Sequence, residues 1–303
     1  MDENNTGSFY REGTLGTENP RAVAYLKDVS KMDIKTFLKQ KFINKINKIA
    51  INAGKKIMAI YDMDFDIYNK KDKSPLTEAD LASHHHIINQ LVALDTGFPI
   101  LSEESADIDW NERKSWQTYW LIDPLDGTKE FIKKNGEFTV NIALIHKHEP
   151  VLGVVYAPAI DVLYFASKQI SAWKVEAGKA KQINVSVKAE NPLRVVGSRS
   201  HPSEAMAGYL SQYPSHEIIP MGSSLKLCLI AEGEADLYPR LGPTCEWDTA
   251  AAHAIVSVAG GRCVVFDEKK NTETEDLKYN TKESLLNPYF IVKGPVINES
   301  ASN

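Results

Sequence analysis

The chain has 303 residues, 43% of them hydrophobic, which is enough for one large domain or two ordinary ones with a substantial core. Its 35 Lys and Arg against 40 Asp and Glu give a formal charge of −5, which argues against a broad polyanion-binding surface and so against a nucleic-acid polymer as partner. No apolar run approaches the length of a membrane span, and three cysteines without a CxxC pair leave one over in any disulfide scheme, so the expected compartment is the reducing cytoplasm.

Residues 1–32 are polar and mixed in charge, and are expected to form a loosely ordered extension, neither a secretory signal nor a strongly basic transit peptide. From Ile34 the apolar positions Leu38, Phe42, Ile46, Ile49, Ala53, Ile57 and Ile60 recur in steps of three or four, the period of one long amphipathic helix. After the charged, turn-rich "YNKKDKSPL", a second helix is expected over "TEADLASHHHIINQLVAL", where Thr77 and Asp80 have the spacing of a capping box. The β-prone runs "FPIL", "TYWLI", "FTVNIALI", "VLGVVYA" and "VLYFA" then predict an antiparallel sheet beside the two helices. From "LRVVGS" at Leu193 helix and strand alternate, so a second α/β layer is expected, with "KAENP" (188–192) as the boundary. The expected organisation is an α+β domain over 33–188 and an α/β domain over 189–303.

Four carboxylates sit where an apolar element ends: Glu103 after "FPIL", Asp123 and Asp126 after "YWLI", and Asp248 before "TAAAHAIVSVA". Two such groups ~5 Å apart at an effective dielectric of ~20 repel by about 3 kcal/mol, so a set of them requires cations or protons. Carboxylates with a backbone carbonyl, and no Cys or His in the motif, are hard oxygen ligands that suit Mg²⁺. Asp123 and Asp126 can bridge two ions, with the Leu125 carbonyl as a further ligand. Pro124 stiffens the turn, Gly127 allows a phosphate close to the backbone, and Thr128 supplies a hydroxyl. Taken singly, each has a plain structural explanation: D-P-x-D-G is a common turn, and Asp80 and Asp248 both read as helix caps. The functional case rests on the set.

The strings "LSEES", "WLIDPLDGTKEF" and "WDTAAAHAIVSVAGG" together resemble the lithium-sensitive, magnesium-dependent phosphatases of the inositol monophosphatase superfamily. Longer stretches, "GVVYAP", "GSRSH" and "GSSLKLCLIAEGEADLYPRLGPTCEWDTAAAHA" among them, are similar to its bacterial CysQ-type branch, the 3'(2'),5'-bisphosphate nucleotidases. The resemblance runs from about Ile34 to Val292 and implies a layered αβαβα sandwich, with metal binding in the first domain and substrate binding in the second. It makes Glu103, Asp123, the Leu125 carbonyl, Asp126 and Asp248 ligands for two Mg²⁺ ions, with a third, weaker ion conceivable near Asp80. Asp80 beside Thr128 would orient and deprotonate the attacking water, with no covalent intermediate.

Substrate choice falls to the second half. Ser224 lies at a helix start, Lys226 in its first turn, and Arg240 after a short strand, and two cations beside an acidic metal site suit a second phosphate. Ser198 and His201, at the end of "LRVVGS", are further candidates for contact with ribose or phosphate, alongside Glu103, Leu125, Asp126, Gly127, Thr128 and Asp248. The preferred substrate is adenosine 3',5'-bisphosphate, cleaved to AMP and phosphate, which the resemblance ties to sulfate assimilation. An inositol-1-phosphate or sugar-phosphate phosphatase is the alternative, and a non-catalytic nucleotide sensor the reading from another class. A homodimer and peripheral association with the inner membrane are left open. His84, His85 and His86 point about 100° apart on a helix and cannot share one ion, so they read as a partly exposed face. His146 and His148 flank an expected hairpin turn, and "GSRS" does not fit a serine nucleophile elbow.

Overall fold

The computed structural model describes residues 33–63, 67–69, 75–198 and 204–294; the expectations for residues 1–32 and for His201 lie outside them. The apolar period that begins at Ile34 forms two elements rather than one helix. A 3₁₀ turn (Ile34–Leu38) stops at Lys39, whose backbone is extended, and helix α1 (Gln40–Tyr61) starts there. The break has a hydrogen-bonding partner: Ser167 Oγ donates to the Leu38 carbonyl at 2.5 Å.

A short antiparallel ribbon, β1 (Ile67–Asn69) and β2 (Pro75–Thr77), leads into α2 (Glu78–Ala93), whose capping box joins Thr77 and Asp80 as the spacing requires. Seven strands then follow in sequence order across one sheet: β3 (Ile100–Ser102), β4 (Thr118–Asp126), β5 (Thr139–His146), β6 (Glu149–Ala157), β7 (Val162–Ser167), β8 (Ile170–Glu176) and β9 (Lys179–Ile183). The sheet is antiparallel except for its first pair, since β3 runs parallel to β4. Strands β8 and β9, which the apolar runs did not reveal, form an edge hairpin rich in lysine, the usual protection of a sheet edge. Short helices α3 (Trp110–Arg113) and α4 (Thr128–Ile132) occupy the connections on either side of β4.

The second sheet takes β10 (Leu193–Ser198), β11 (His216–Met221), β12 (Leu237–Arg240), β13 (Arg262–Asp267), β14 (Thr272–Asp276) and β15 (Phe290–Lys293) in the order β11-β10-β12-β15-β13-β14. Helices α5 (Glu204–Leu210), α6 (Leu225–Ala231) and α7 (Glu246–Val258) alternate with its strands. Strand periodicity decides the layering. In β4, Trp120 and Ile122 pack with α1 and α2, while Tyr119 and Leu121 face α6 and α7. In β10, Val196 joins that same central cluster, while Leu193 and Val195 face α5 on the outer side. The result is the expected α-β-α-β-α sandwich. At Gly153 on β6 any Cβ would collide with the Ala251 carbonyl, so α7 lies directly on the first sheet.

Candidate active site

The proposed site begins where β4 loses its register. Asp123 pairs with Asn141 and Asp126 with Thr139, so β4 spends three steps where β5 spends two. Residues three apart in a regular strand point to opposite faces; the one-residue bulge around Pro124 and Leu125 turns Asp126 to the same face as Asp123. Asp248 meets them from the other half of the chain. It stands three residues inside the cap Cys245, at the third position of α7, and accepts the Cys245 N–H at 2.9 Å, so it is the reciprocal partner of a capping box rather than the cap residue itself. One carboxylate oxygen from each of Asp123, Asp126 and Asp248 lies within 4.8 Å of the others.

These charges strain against one another. Burial pushes the Asp123 carboxyl well above the usual carboxylate range, and Glu103, which also hydrogen-bonds to it, pushes it further. Burial raises Asp126 to about 6 against the opposing pull of Lys226 and the Ser224 N–H. Asp248 rises to about 8, from burial first and then from Asp126 and Glu103. Such a group is stable at neutral pH with protons or with cations, and its all-oxygen donor set fits a hard divalent ion such as Mg²⁺.

Asp80, nearly fully buried at the third position of α2, divides its oxygens. Oδ2 accepts from Thr77 N–H at 2.8 Å and Thr77 Oγ1 at 2.6 Å, and Oδ1 accepts from Thr128 Oγ1 at 3.3 Å. The helix-cap and the functional explanations of Asp80 are therefore compatible. Thr128 Oγ1 is also 3.4 Å from the Leu125 carbonyl, and Ser83 Oγ donates to the Pro124 carbonyl at 2.7 Å, fixing the loop to α2. Gly127 has φ +90°, a conformation that side chains resist, at the start of α4.

A cleft of about 600 Å³ opens over this group. Glu103, Asp126, Gly127, Thr128 and Asp248 line it, while Asp80, Asp123 and Leu125 are buried outside its lining. Ser198, Ser224, Lys226 and Arg240 line the same cleft, together with Tyr238 and Leu241. Lys226 Nζ donates to the Ser223 carbonyl and stands 5.9 Å over the Tyr238 ring; burial lowers its pKa. Arg240 is the last residue of β12, not one beyond it, and its Nη2 donates to the Pro243 carbonyl at 2.7 Å. Its Nε is buried with no hydrogen-bond partner among the described residues, which suits a bound anion.

Two polar residues escaped sequence reasoning, Thr139 and Asn141, both buried in β5 beside Asp126. The only signal was their presence inside the otherwise apolar "FTVNIALI". Of the three consecutive histidines only His85 is exposed; His84 Nδ1 lies 2.9 Å from Ser102 Oγ, and burial and then His85 lower its pKa to about 4. Lys147 and His148 have positive φ in the β5–β6 hairpin turn, the structural role expected of that stretch.

The model of the inositol monophosphatase family matches residues 38–294, and the chain belongs to that family. Within it, the chain is 50% identical to the 3'(2'),5'-bisphosphate nucleotidase CysQ of Salmonella typhimurium over 252 residues, which cover 82% of this chain and 98% of that protein. The Escherichia coli K12 protein of the same name is 49% identical with the same coverage. Among solved structures, CysQ from Bacteroides thetaiotaomicron, a bacterial member of the inositol monophosphatase family, superposes with a TM-score of 0.74 at 40% identity, covering 86% of this chain and 98% of its own.

Proposed function

We propose that the protein is a Mg²⁺-dependent 3'(2'),5'-bisphosphate nucleotidase that hydrolyses the 3'-phosphate of adenosine 3',5'-bisphosphate to give AMP and phosphate. One observation carries the reading. Three aspartates with carboxylate oxygens within 4.8 Å of one another lie at a cleft that Lys226 and Arg240 also line. The high identity to proteins named for this activity supports the choice of substrate.

Glu103, Asp123, Asp126, Asp248 and the Leu125 carbonyl would hold two Mg²⁺ ions. When bound, the ions lower the pKa of a water, neutralise phosphoryl oxygens and stabilise the leaving alkoxide. The chain supplies the rest. Thr128 Oγ1 takes a proton from the attacking water as it passes its own proton to Asp80 Oδ1, the oxygen to which it is hydrogen-bonded. The Gly127 and Thr128 N–H groups steady the transferring phosphate at the start of α4. Lys226 and Arg240 bind the second phosphate, and Ser198 contacts the ribose. Cys228, Cys245 and Cys263 form no disulfide among the described residues, which is in keeping with a cytoplasmic location. No helix of the described residues is long and apolar enough to cross a membrane.

The test compares phosphate release from adenosine 3',5'-bisphosphate and from inositol 1-phosphate at the same Mg²⁺ concentration. The nucleotide should be the better substrate by kcat/KM. A preference for the inositol ester would overturn the substrate assignment, and unchanged turnover in Asp123→Asn would overturn the metal assignment.

A further inference from the structure

A buried polar cluster lies immediately behind Asp126. Thr139, Asn141 and Ser224 are respectively 0%, 1% and 1% exposed. Asn141 Oδ1 accepts from Ser224 Oγ at 2.8 Å and from Thr139 Oγ1 at 3.1 Å, and the two hydroxyls are 2.9 Å apart. Polar side chains buried in a strand core cost stability unless every bond is made. Here the bonds run to one place. Ser224 N–H donates to Asp126 Oδ2 at 2.5 Å, and Asn141 Nδ2 approaches the same oxygen at 3.5 Å. Both donors use the same oxygen, Oδ2, and together they restrict the orientation of the Asp126 carboxylate. Ser224 is also the N-cap of α6, the helix that carries Lys226, so one hydrogen bond joins the acidic cluster to that helix.

We propose that Asn141 and Thr139 are positioning residues that set the affinity of the site for Mg²⁺. They hold Ser224, and Ser224 fixes the orientation of Asp126. The proposal rests on the reading of Asp126 as a metal ligand. Partners of this kind change metal affinity by roughly 10- to 100-fold when removed.

The experiment is a Mg²⁺ titration of the thermal melting temperature without substrate, for the wild type, Asn141→Ala, Thr139→Val and Thr139→Ser. Bound metal raises the Tm of the wild type. The variants Asn141→Ala and Thr139→Val should need about ten times more Mg²⁺ or more for the same fractional rise, while Thr139→Ser, which keeps the hydroxyl, stays near the wild type. In phosphate release, half-saturation by Mg²⁺ should shift in parallel, with kcat at saturating Mg²⁺ changing less. Thr139→Val is nearly isosteric and serves if Asn141→Ala fails to fold. A lower metal-free Tm with an unchanged Mg²⁺ requirement in the variants would overturn the proposal alone. A wild type whose Tm ignores Mg²⁺ would overturn it together with the metal reading on which it rests.

Discussion

Asp80 serves two partners at once, and the division of its oxygens separates its structural from its chemical role. Thr128→Ala removes the group at Oδ1 and leaves the capping box intact, so kcat should fall by about 10²-fold or more with little change in unfolding free energy. Asp80→Ala should show the same kinetic loss together with about 1 kcal/mol lost from the helix cap, measured by urea titration. Equal kinetic effects with unequal stability effects are the expected signature. Lys226→Ala should raise KM for adenosine 3',5'-bisphosphate by roughly 10- to 100-fold, the worth of a charge-assisted hydrogen bond, and inositol 1-phosphate by much less. At this scale the carboxylates were legible in the sequence because each is a charge at the end of an apolar run. Asn141 was not, because a single polar residue in a strand acquires meaning only when its partner Ser224, distant in the sequence, is known.

Elements bring these residues together, and their contacts make separate predictions. Helix α7 presses on β6 at Gly153, so Gly153→Ala forces an overpacked contact against the Ala251 backbone and should destabilise the fold by about 1–3 kcal/mol in urea unfolding. The same helix buries His253, whose Nδ1 lies 2.9 Å from Tyr279 Oη. Burial lowers its pKa from 6.5 to about 4. The unfolded chain therefore binds this proton first, so stability is full above pH 6.5 and is lost as pH falls through about 4. Between pH 7.5 and 5 this one group should account for about 2 kcal/mol of lost stability. His253→Gln should remove that part of the pH dependence, and an equally steep profile in the variant would contradict the account. Helices α1 and α2 and the core strands β3 to β7 were readable from apolar periods, a capping box and β-prone runs. The parallel β3–β4 pair and the edge hairpin β8–β9 were not, because strand direction is set by pairing and exposed edge strands lack the apolar run that marks a buried one.

Across the whole molecule the candidate site belongs to neither sheet alone. Asp123 and Asp126 end a strand of the first sheet, whereas Asp248, Lys226 and Arg240 come from helices and a strand of the second half. The central apolar layer that packs α6 and α7 against both sheets fixes their mutual distance. This convergence was visible in the sequence only through family resemblance: Asp126 and Asp248 are separated by more than a hundred positions, and no local pattern links them. The bulge that turns Asp126 beside Asp123 was likewise hidden, since D-P-x-D-G alone describes an ordinary turn. The most direct test of the central claim is phosphate release from adenosine 3',5'-bisphosphate with Mg²⁺, repeated with EDTA and with millimolar Li⁺. The account predicts turnover that requires Mg²⁺, stops with EDTA and is suppressed by Li⁺. Turnover that persists undiminished in EDTA, or no release of phosphate from this nucleotide at saturating Mg²⁺, would contradict it.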